Sequence, residues 1–432
     1  QARTTDQPVG RIDMDAWYDN RDDFYGQIVQ GAVSSFSSGV QGEEVAQKAS
    51  WSNPVTWRFS IVANDPLAQT SNLNVIRYGI TDEASKLNLN TATRQQLTTL
   101  SQVVLRSQQI NADDLVKAIF YWRSPVKEGQ QDGAEDAYYQ TLDHPYEVKH
   151  APFDSVEELL MVRGITGQIL FGEDWNRNGV LDPGENDGDV SFPPDNGNGQ
   201  LDQGLYPFLT VWSSEPNTSN TNNQRVNLNM GGGDPRKLLD SLPEYYTDAE
   251  KTAIGVAQSK GKLDTPLALL INGPEDGSGF SIDDLPRILD DLTTTKAQSF
   301  SGLVNVNTAP VKVLQAVGFT EDEAHRIVTA RASLAGKDKT TLAWLIQQGV
   351  IDMKRLSDPK LFNALTARAF QFRVESIGFA DHIGAFCRLE VIIKMNGRVC
   401  QIASWRDLSG LGLGWPVRGR QEGTTVARAS LR

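Results

Sequence analysis

The 432-residue sequence predicts an α+β protein, with strands near both ends and a long helical region between them. Apolar and polar residues alternate at residues 57–62 and again from residue 370, as they do in half-buried strands. From about residue 87, apolar residues instead recur at spacings of three and four, which is typical of amphipathic helices. The net charge of −13 disfavours binding to duplex DNA, because that function requires a basic surface.

The first part of the chain predicts only two strands. The first fifty residues are polar and are interrupted by Gly26, Gly31, Gly39 and Gly42. Residues 57–62 predict the first strand, and residues 74–80 predict the second.

Helices are predicted at residues 93–120 and 155–170 from their apolar periodicity. Ser155 and Glu158 stand three residues apart and predict a capping box for the later helix. Between and around these helices lie aromatic residues at positions 120–122, 138–139 and 146, which we expect to pack in the core rather than to form a binding surface.

The C-terminal part predicts a three-stranded antiparallel meander over residues 369–406, with one buried face. In its second strand a single face is apolar, and we expect that face to be the buried one; it holds Ala385, Cys387, Leu389, Val391, Ile393 and Met395. Asn396-Gly397 predicts a two-residue turn that pairs Met395 with Arg398. Residues 409–432 are expected to form a flexible tail.

The same register predicts that Cys387 and Cys400 remain free thiols. They would lie six residues apart along the ladder, or roughly 20 Å, whereas a disulfide needs Cα atoms within about 7 Å. Each cysteine is therefore expected to be a small buried apolar residue.

Catalytic motifs are not found in the sequence, and we predict that the protein is not an enzyme. The two cysteines and four histidines exclude a cysteine-rich zinc site, and neither a G-x-S-x-G elbow nor a phosphate-binding loop occurs. No apolar run approaches the 18 or so residues of a membrane span. A hydrolase with an unrecognised, calcium-dependent site stays open as a minor alternative.

An apolar-Asn-apolar-Asn pattern occurs three times, at residues 87–90, 226–229 and 304–307. Thr follows the first and third copies, and a helical pattern follows it. We interpret the repeat as a short extended segment that delivers polar oxygens to a helix N-terminus.

Two segments resemble the turn of helix-hairpin-helix motifs, at residues 162–166 and 317–320. Thr320 and Glu323 predict a capping box after the second turn. In many proteins such turns bind a DNA phosphate, so a helix-hairpin-helix nucleic-acid-binding protein is the alternative function. The acidic residues 321–323 argue against it, because they would repel a phosphate.

Residues 174–185 match the calcium-loop pattern D-x-[DN]-x-[DN]-G-x5-E without a mismatch. Calcium takes six to eight hard oxygen ligands, and a 12-residue loop can surround it. Gly179 permits the sharp turn, and Leu181 is expected to pack in the core. The expected ligands are side-chain oxygens and one carbonyl, from Asp174, Asn176, Asn178, Val180, Asp182 and Glu185.

This loop opens a strongly acidic segment, residues 173–204, which offers a poorer second copy. The alternative for both copies is an acidic, turn-rich surface loop, since Asn, Asp and Gly are common in loops. Pro183 and Gly184 argue against the second helix of an EF-hand. A second Ca²⁺ site could draw on Asp187, Asp189, Asn196, Asn198 and Asp202.

Several segments in order resemble the type II secretion system minor pseudopilin K (general secretion pathway protein K) family. They are residues 82–90, the Trp and Tyr block of residues 121–123 and 133–139, residues 152–160 with Gly164, and residues 305–310 with Val313 and Leu314. The resemblance covers about residues 75–330. The acidic segment and the polar first fifty residues depart from it, which indicates a divergent member.

The resemblance implies a pilin-like antiparallel sheet into which a large helical domain is inserted. The implied divisions are residues 1–86 for the first part of the pilin-like body, 87–300 for the helical domain, 301–366 for a helix-hairpin-helix-like segment, 367–408 for the meander and 409–432 for the tail. It also implies a periplasmic subunit, held in the bacterial inner membrane by an N-terminal helix upstream of Gln1. Its expected role is at the tip of a pseudopilus with I- and J-type minor pseudopilins, and secreted proteins are possible further partners.

Overall fold

The computed structural model describes residues 14–29, 56–64, 76–106, 110–125, 133–230, 238–273, 279–380, 384–396 and 399–415. The predicted chain breaks at Gly31, Gly39 and Gly42 and the end of the predicted tail lie outside these ranges. Within them, no helix is both long and apolar enough to span a membrane.

The helices of the described residues are mostly short. They are α1 (Met14–Trp17), α2 (Arg21–Phe24), α3 (Arg94–Val104), α4 (Ala112–Arg123), α5 (Gly133–Gln140), α6 (Gly167–Phe171), α7 (Asp248–Ser259), α8 (Ala268–Ile271), α9 (Leu285–Asp291), α10 (Val311–Val317), α11 (Glu321–Ser333), α12 (Ala343–Gln347), α13 (Met353–Leu356) and α14 (Pro359–Phe362).

The strands are β1 (Gln27–Ile28), β2 (Trp57–Asn64), β3 (Ile76–Arg77), β4 (Thr81–Asp82), β5 (Leu87–Asn88), β6 (Leu209–Thr210), β7 (Ser214–Pro216), β8 (Val226–Asn227), β9 (Leu292–Thr293), β10 (Ser299–Ser301), β11 (Val304–Asn305), β12 (Leu365–Thr366), β13 (Gln371–Ala380), β14 (Phe386–Asn396) and β15 (Val399–Asp407).

One antiparallel sheet joins the two ends of the chain. Its order is β1-β2-β13-β14-β15, with β3 paired to β2 and β4 paired to β13. The helical region therefore leaves the sheet after β4 and returns to it at β13. This arrangement confirms the predicted α+β class, a sheet body with a mainly helical insertion.

The predicted buried face of the meander is wrong, because β14 buries its more polar face. We call this the inner face; it carries Arg388, Glu390 and Ile392, all less than 5 % exposed. The outer face carries Cys387 and Leu389, and in the described chain it is only partly covered. The strand pattern misleads because buried ion pairs, rather than apolar side chains, line most of the inner face of β14.

The predicted hairpin register is also wrong, by two residues. Met395 pairs with Cys400 rather than with Arg398, and Asn396 pairs with Val399. Gly397 and Arg398 of the predicted turn lie outside the described residues. Both cysteines are free, as predicted, but both are exposed on the outer face rather than buried.

The three Asn repeats form three similar structural units. In each, the first apolar-Asn pair makes a two-residue parallel ladder with a distant Leu-Thr pair: β5 with β6, β8 with β9 and β11 with β12. The next residue then donates its N–H to the Thr carbonyl, at 2.7, 2.7 and 3.0 Å in the three units. The repeat is therefore one half of a recurrent strand pair. The prediction that its side-chain oxygens reach a helix N-terminus is wrong, because Thr93 caps α3 and Pro310 stands at the N-cap of α10.

The Asn side chains stabilise each unit. The first Asn accepts the N–H of the second Asn at 2.9–3.0 Å in all three units. The second Asn binds backbone groups far along the chain; Asn90, for example, accepts the N–H of Phe153 and donates to its carbonyl. These amides fix the loops around each ladder because buried backbone groups need partners.

The helical region has a large apolar core in which Trp122 and Tyr139 are almost fully buried, as predicted for the aromatic group, and a second apolar cluster around Leu228 and Ile254. The capping box of Thr320 and Glu323 is confirmed. The predicted box at Ser155 is wrong: Glu158 accepts the N–H of Asp154 and the indole of Trp122 instead.

Several predicted element boundaries also differ from the structure. Residues 93–120 form two helices, α3 and α4, rather than one. Residues 155–170 contain a 3₁₀ turn and the short α6. Of the strand predicted at 74–80, residues 76–77 form β3, residues 78–80 are not in a strand, and residues 74–75 lie outside the described ranges; β4 begins only at Thr81.

The predicted tail does not begin at residue 409. Residues Ser409–Leu411 form a 3₁₀ turn, and Trp415 is only 3 % exposed, in a cluster with Val62, Ile377 and Phe379. Trp415 Nε1 also donates to Glu375 at 3.0 Å. The chain is thus held on the inner face at least as far as Trp415.

Candidate metal centre

The loop 174–185 follows α6 and lies against the inner face of the sheet. Three of its polar residues are buried: Asp174 is 4 % exposed, Asn178 0 % and Glu185 5 %. Val180 packs with Val62 and Ile377, while the predicted core residue Leu181 is half-buried. The alternative, an acidic surface loop, would be exposed to solvent. The burial of these three residues therefore argues against that alternative.

The backbone of the loop turns sharply at its fourth and sixth positions. Arg177 has φ of 60° and Gly179 has φ of 65°. A Cβ atom at Gly179 would lie 2.4 Å from the side chain of Asn64. Glycine therefore satisfies both the left-handed conformation and the close packing.

Hydrogen bonds direct the side-chain oxygens toward the inside of the loop. Asp174 accepts the N–H groups of Asn178 and Gly179 at 2.9 and 3.0 Å. Asn176 accepts the N–H of Asn178 at 3.0 Å, and Asn178 accepts that of Val180 at 2.7 Å. Asp174 also accepts a hydrogen bond from the side chain of Gln203. Because a carbonyl or carboxylate oxygen can accept two bonds, the side chains of Asp174, Asn176 and Asn178 retain capacity for a further partner.

The later half of the loop closes onto the earlier half. Asp182 Oδ2 accepts from the amide groups of Asn176 and Asn178 at 2.7 and 2.9 Å. Glu185 accepts the N–H of Asp182 at 3.2 Å across a single 3₁₀ turn, Pro183–Glu185. The structure thus brings together the side chains of Asp174, Asn176, Asn178, Asp182 and Glu185.

In the described chain, no three His, Cys, Asp or Glu side chains converge closely enough to hold a metal by themselves. The donor set of the loop mixes three carboxylates with two amide oxygens and backbone carbonyls. Such hard, mixed oxygen donors suit Ca²⁺, which tolerates varied geometry. The residues present therefore fit this ion in type and sequence spacing.

Burial and mutual repulsion raise the pKa values of two carboxylates in the loop. Burial raises the pKa of Asp174 to about 6, although the N–H groups of Gly179 and Asn178 oppose the change. Burial also raises the pKa of Glu185 to about 8 against the Asp182 N–H, and the negative charges of Asp174 and Asp182 add to the increase. A cation among them would relieve this repulsion.

The sequence analysis did not identify the residues that hold the loop on the sheet. Arg388 of β14 is fully buried and donates to the carbonyls of Asn176 and Arg177 at 2.8 and 3.1 Å. Its Nε donates to Glu375 of β13 at 2.5 Å. A regular alternation would have placed Arg388 on the solvent side, so the sequence offered no signal for this role.

The C-terminal segment closes the other side of the loop. Asn178 Nδ2 donates to the carbonyl of Gly414 at 2.6 Å, next to the buried Trp415. The loop therefore bridges the helical region, β14 and the C-terminal segment.

A buried ionic network continues from the loop between the sheet and the helical region. Arg177 pairs with Glu157 at 3.0 Å, and Arg406 of β15 pairs with both Glu157 and Glu390. Arg373 then joins Glu390 to Glu83. Burial alone would raise the pKa of Glu83, but the positive charges of Arg373 and Lys86 hold it at about 2.

The second acidic copy repeats the hydrogen bonds of the first with an offset of 20 residues. Asn196 donates to Asp202 at 2.8 Å, as Asn176 donates to Asp182. Asn198 donates its N–H to Asn196 at 3.0 Å, and its own oxygen accepts the N–H of Gln200 at 2.7 Å. Asn196, Asn198 and Asp202 are therefore brought together.

Two residues that the sequence analysis missed complete the second loop. Glu173 accepts the N–H groups of Asn196 and Asp202 at 3.2 and 3.0 Å. Asn186 accepts the N–H of Gly199 at 2.8 Å, which corresponds to one of the bonds of Asp174 in the first loop. An alignment of the two loops with an offset of 20 residues places Pro194 at the position of Asp174. Because proline has no side-chain oxygen, this alignment indicates that residues outside the second copy replace the missing carboxylate.

The other two predicted ligands are placed differently. Asp187 accepts from the N–H and hydroxyl of Ser191, and Asp195 accepts the N–H of Asp187. Asp189 is exposed, and within the described ranges it makes no hydrogen bond with the other four. The second loop therefore gathers three of its five predicted ligands, with Glu173 and Asn186 beside them.

Comparison with known proteins gives a family match for part of the chain. No curated protein matches the chain. Among solved structures, the chain matches the GspK–GspI–GspJ complex from the type 2 secretion system of enterotoxigenic Escherichia coli, with a TM-score of 0.40 and 11 % identity; 82 % of this chain and 80 % of that chain are covered. The family model "Type II secretion system (T2SS), protein K" matches residues 70–171, from the β3 region through α6. Residues 70–171, about a quarter of the chain, therefore match the type II secretion system protein K family.

Proposed function

We propose that the protein is a minor pseudopilin, a non-enzymatic structural subunit at the tip of a type II secretion pseudopilus that helps to initiate assembly and protein export. The observation that carries this proposal is the family match of residues 70–171. Its partners are I- and J-type minor pseudopilins, as in the complex that the matched structure contains. Its place is the periplasm, with the full-length protein anchored in the bacterial inner membrane.

The outer face of the sheet supports assembly with other subunits. Ile402 and Trp405 of β15 are 70 and 66 % exposed, and they pair with Ile393 and Val391 on the outer face of β14. Exposed apolar patches of this kind mark surfaces that another chain covers. A pseudopilus offers such chains, whereas a solitary protein would leave these residues in water.

The same face provides the test, because it holds two exposed thiols. Cys387 and Cys400 are free, and both belong to β14 or β15. Co-expression with I- and J-type partners should give a stable ternary complex in which a thiol reagent labels at least one cysteine more slowly. Monomers with unchanged labelling rates in the presence of all partners would contradict the proposal.

We also propose that the loop 174–185 binds Ca²⁺ through Asp174, Asn176, Asn178, Asp182, Glu185 and the carbonyl of Val180. The support is a buried set of oxygen donors whose carboxylates repel one another. When bound, the ion supplies positive charge and contributes free energy of folding, because the unfolded loop has no such site. Arg388 then connects the ordered loop to the sheet through its hydrogen bonds.

A second, weaker Ca²⁺ site is proposed at Glu173, Asn186, Asn196, Asn198 and Asp202. Its support is the repeated pattern of hydrogen bonds. Titration calorimetry with Ca²⁺ should resolve two classes of site, and Glu173→Gln should weaken only one of them. An unchanged isotherm for Glu173→Gln, or a single class in the parent protein, would contradict the second site.

A further inference from the structure

A cavity of about 460 Å³ lies where the second and third Asn units meet, away from the acidic loops. This volume falls in the range of small-ligand sites, about 300–1,000 Å³. Its apolar wall is formed by buried or half-buried side chains that come from both units: Leu263, Leu292, Phe300, Leu342 and Phe362.

Arg225 belongs to the polar lining of the cavity. Its Nε donates to the carbonyl of Asp290 at 3.0 Å. Its Nη1 lies 3.8 Å from Glu215 Oε1, which is beyond hydrogen-bond distance. Among the described residues, the terminal nitrogens of Arg225 thus have an ionic neighbour but no hydrogen-bond acceptor.

Glu215 already accepts three hydrogen bonds from other residues. Arg368 already donates to it through Nε and Nη2, at 3.2 and 2.6 Å, and Thr366 donates its hydroxyl. The first Asn unit provides a comparison, because Lys86 holds the position of Arg225 there and is paired with Glu83 at 3.0 Å. Within the described ranges, Arg225 therefore lacks the hydrogen-bonded ion pair that the equivalent Lys86 makes.

The charges around the cavity favour an anion. Arg225, Arg368 and the exposed Lys262 line it, against Glu215 and Asp264. A guanidinium binds a carboxylate through two parallel N–H bonds, and it does so most strongly where water is partly excluded. The apolar side chains that line the same cavity favour a carboxylate that carries an apolar group.

We propose that this cavity binds a carboxylate joined to an apolar group, with the carboxylate on Arg225 and the apolar part against Leu292 and Phe300. Two sources share this chemistry: the C-terminus of a polypeptide that ends in apolar residues, and a medium-chain fatty acid. The site is separate from the calcium loops and does not depend on the proposed place in a pseudopilus.

The test uses the full chain and three probes: N-acetyl-Leu-Phe as the free acid, the same dipeptide as its amide, and decanoate. Titration calorimetry should show saturable binding of the free acid, with the amide about tenfold weaker or more, since a charge-assisted pair is lost. Binding of decanoate but not of the dipeptide acid would support the site and assign it to the fatty acid. Equal binding of acid and amide, or no saturable binding of any probe, would overturn the proposal.

Variants separate the cavity from general effects. Arg225→Met should lose acid binding, and Arg225→Lys should keep part of it. Ala297→Trp places an indole at the cavity wall and retains Arg225, so it should also block binding if Arg225→Met does not fold. Arg326→Met, on the exposed side of α11, should bind as the parent does. Parent-like binding by a folded Arg225→Met or by Ala297→Trp would overturn the proposal.

Discussion

Replacing Arg388 with methionine is expected to loosen the candidate calcium loop from the sheet. The substitution removes three hydrogen bonds, two to the carbonyls of Asn176 and Arg177 and one to Glu375. It also leaves Glu375 as a buried carboxylate without its guanidinium. Methionine retains most of the apolar volume, so the change is mainly electrostatic.

The magnitude follows from the environment of the pair. Removing one partner of a buried ion pair costs about 3–5 kcal/mol of the free energy of unfolding. Glu375 keeps its hydrogen bond from Trp415 at 3.0 Å, so we expect a value near the lower end, about 3 kcal/mol. Loss of the carbonyl contacts should also weaken binding of Ca²⁺ by the loop.

Urea denaturation in millimolar Ca²⁺ measures the first effect, and calorimetry measures the second. Arg326→Met, at an exposed position of α11, is the matched control and should change stability by no more than about 0.5 kcal/mol. The double variant Arg388→Met/Glu375→Gln should recover part of the loss, because no buried charge is left unpaired. An Arg388→Met protein within about 1 kcal/mol of the parent, with unchanged Ca²⁺ affinity, would refute the reasoning.

Three further predictions concern the loop and the outer face. Ca²⁺ at a hundredfold excess over its Kd should add about 2.7 kcal/mol to the free energy of unfolding, which melting experiments in Ca²⁺ and in EGTA would measure. Glu185→Gln should remove most of this difference, whereas the exposed control Glu321→Gln should not. Equal melting temperatures of the parent protein in Ca²⁺ and in EGTA would contradict the prediction. Without metal, the raised pKa values of Asp174 and Glu185, about 6 and about 8, mean that the folded state holds protons that the unfolded state has lost, so stability should fall as pH rises from about 4 to about 8. Melting experiments in EGTA across this pH range would measure the sign of the change. If the double variant Asp174→Asn/Glu185→Gln shows the same slope as the parent, the pH dependence belongs to other groups and the prediction is wrong. Thiol titration of the native, isolated protein should count two reactive groups, Cys387 and Cys400, and a count of zero without denaturant would contradict their exposure.

Local patterns in the sequence predicted the parts of the fold that depend on local chemistry. Alternation predicted β2 and the meander because period-two patterns follow directly from strand geometry. The capping box at Thr320 formed because its two partners are three residues apart. The calcium motif is local in the same sense, and the hydrogen bonds of Asp174 and Asn178 lie within the loop.

Contacts between distant segments were not predictable in this way. The Leu-Thr strand that completes each Asn unit lies 60 or more residues later, as Leu87 and Leu209 show, and nothing in a pair of common residues marks it. The buried face of β14 was misassigned because Arg388 and Glu390 become buried only when Arg373, Arg406 and the loop pack on them. Charged residues are buried when they are paired, and pairing is not visible in one strand.

Complex formation with I- and J-type minor pseudopilins tests the proposed function most directly. Size-exclusion chromatography with light scattering should show one species whose mass equals the sum of the three subunits, with labelling of Cys387 or Cys400 slowed in that species. A variant carrying Ile402→Asp and Trp405→Asp on the outer face should lose the complex while remaining folded. Three separate monomers at micromolar concentration in Ca²⁺, with thiols as reactive as in the isolated chain, would contradict the assignment of this protein to a pseudopilus tip.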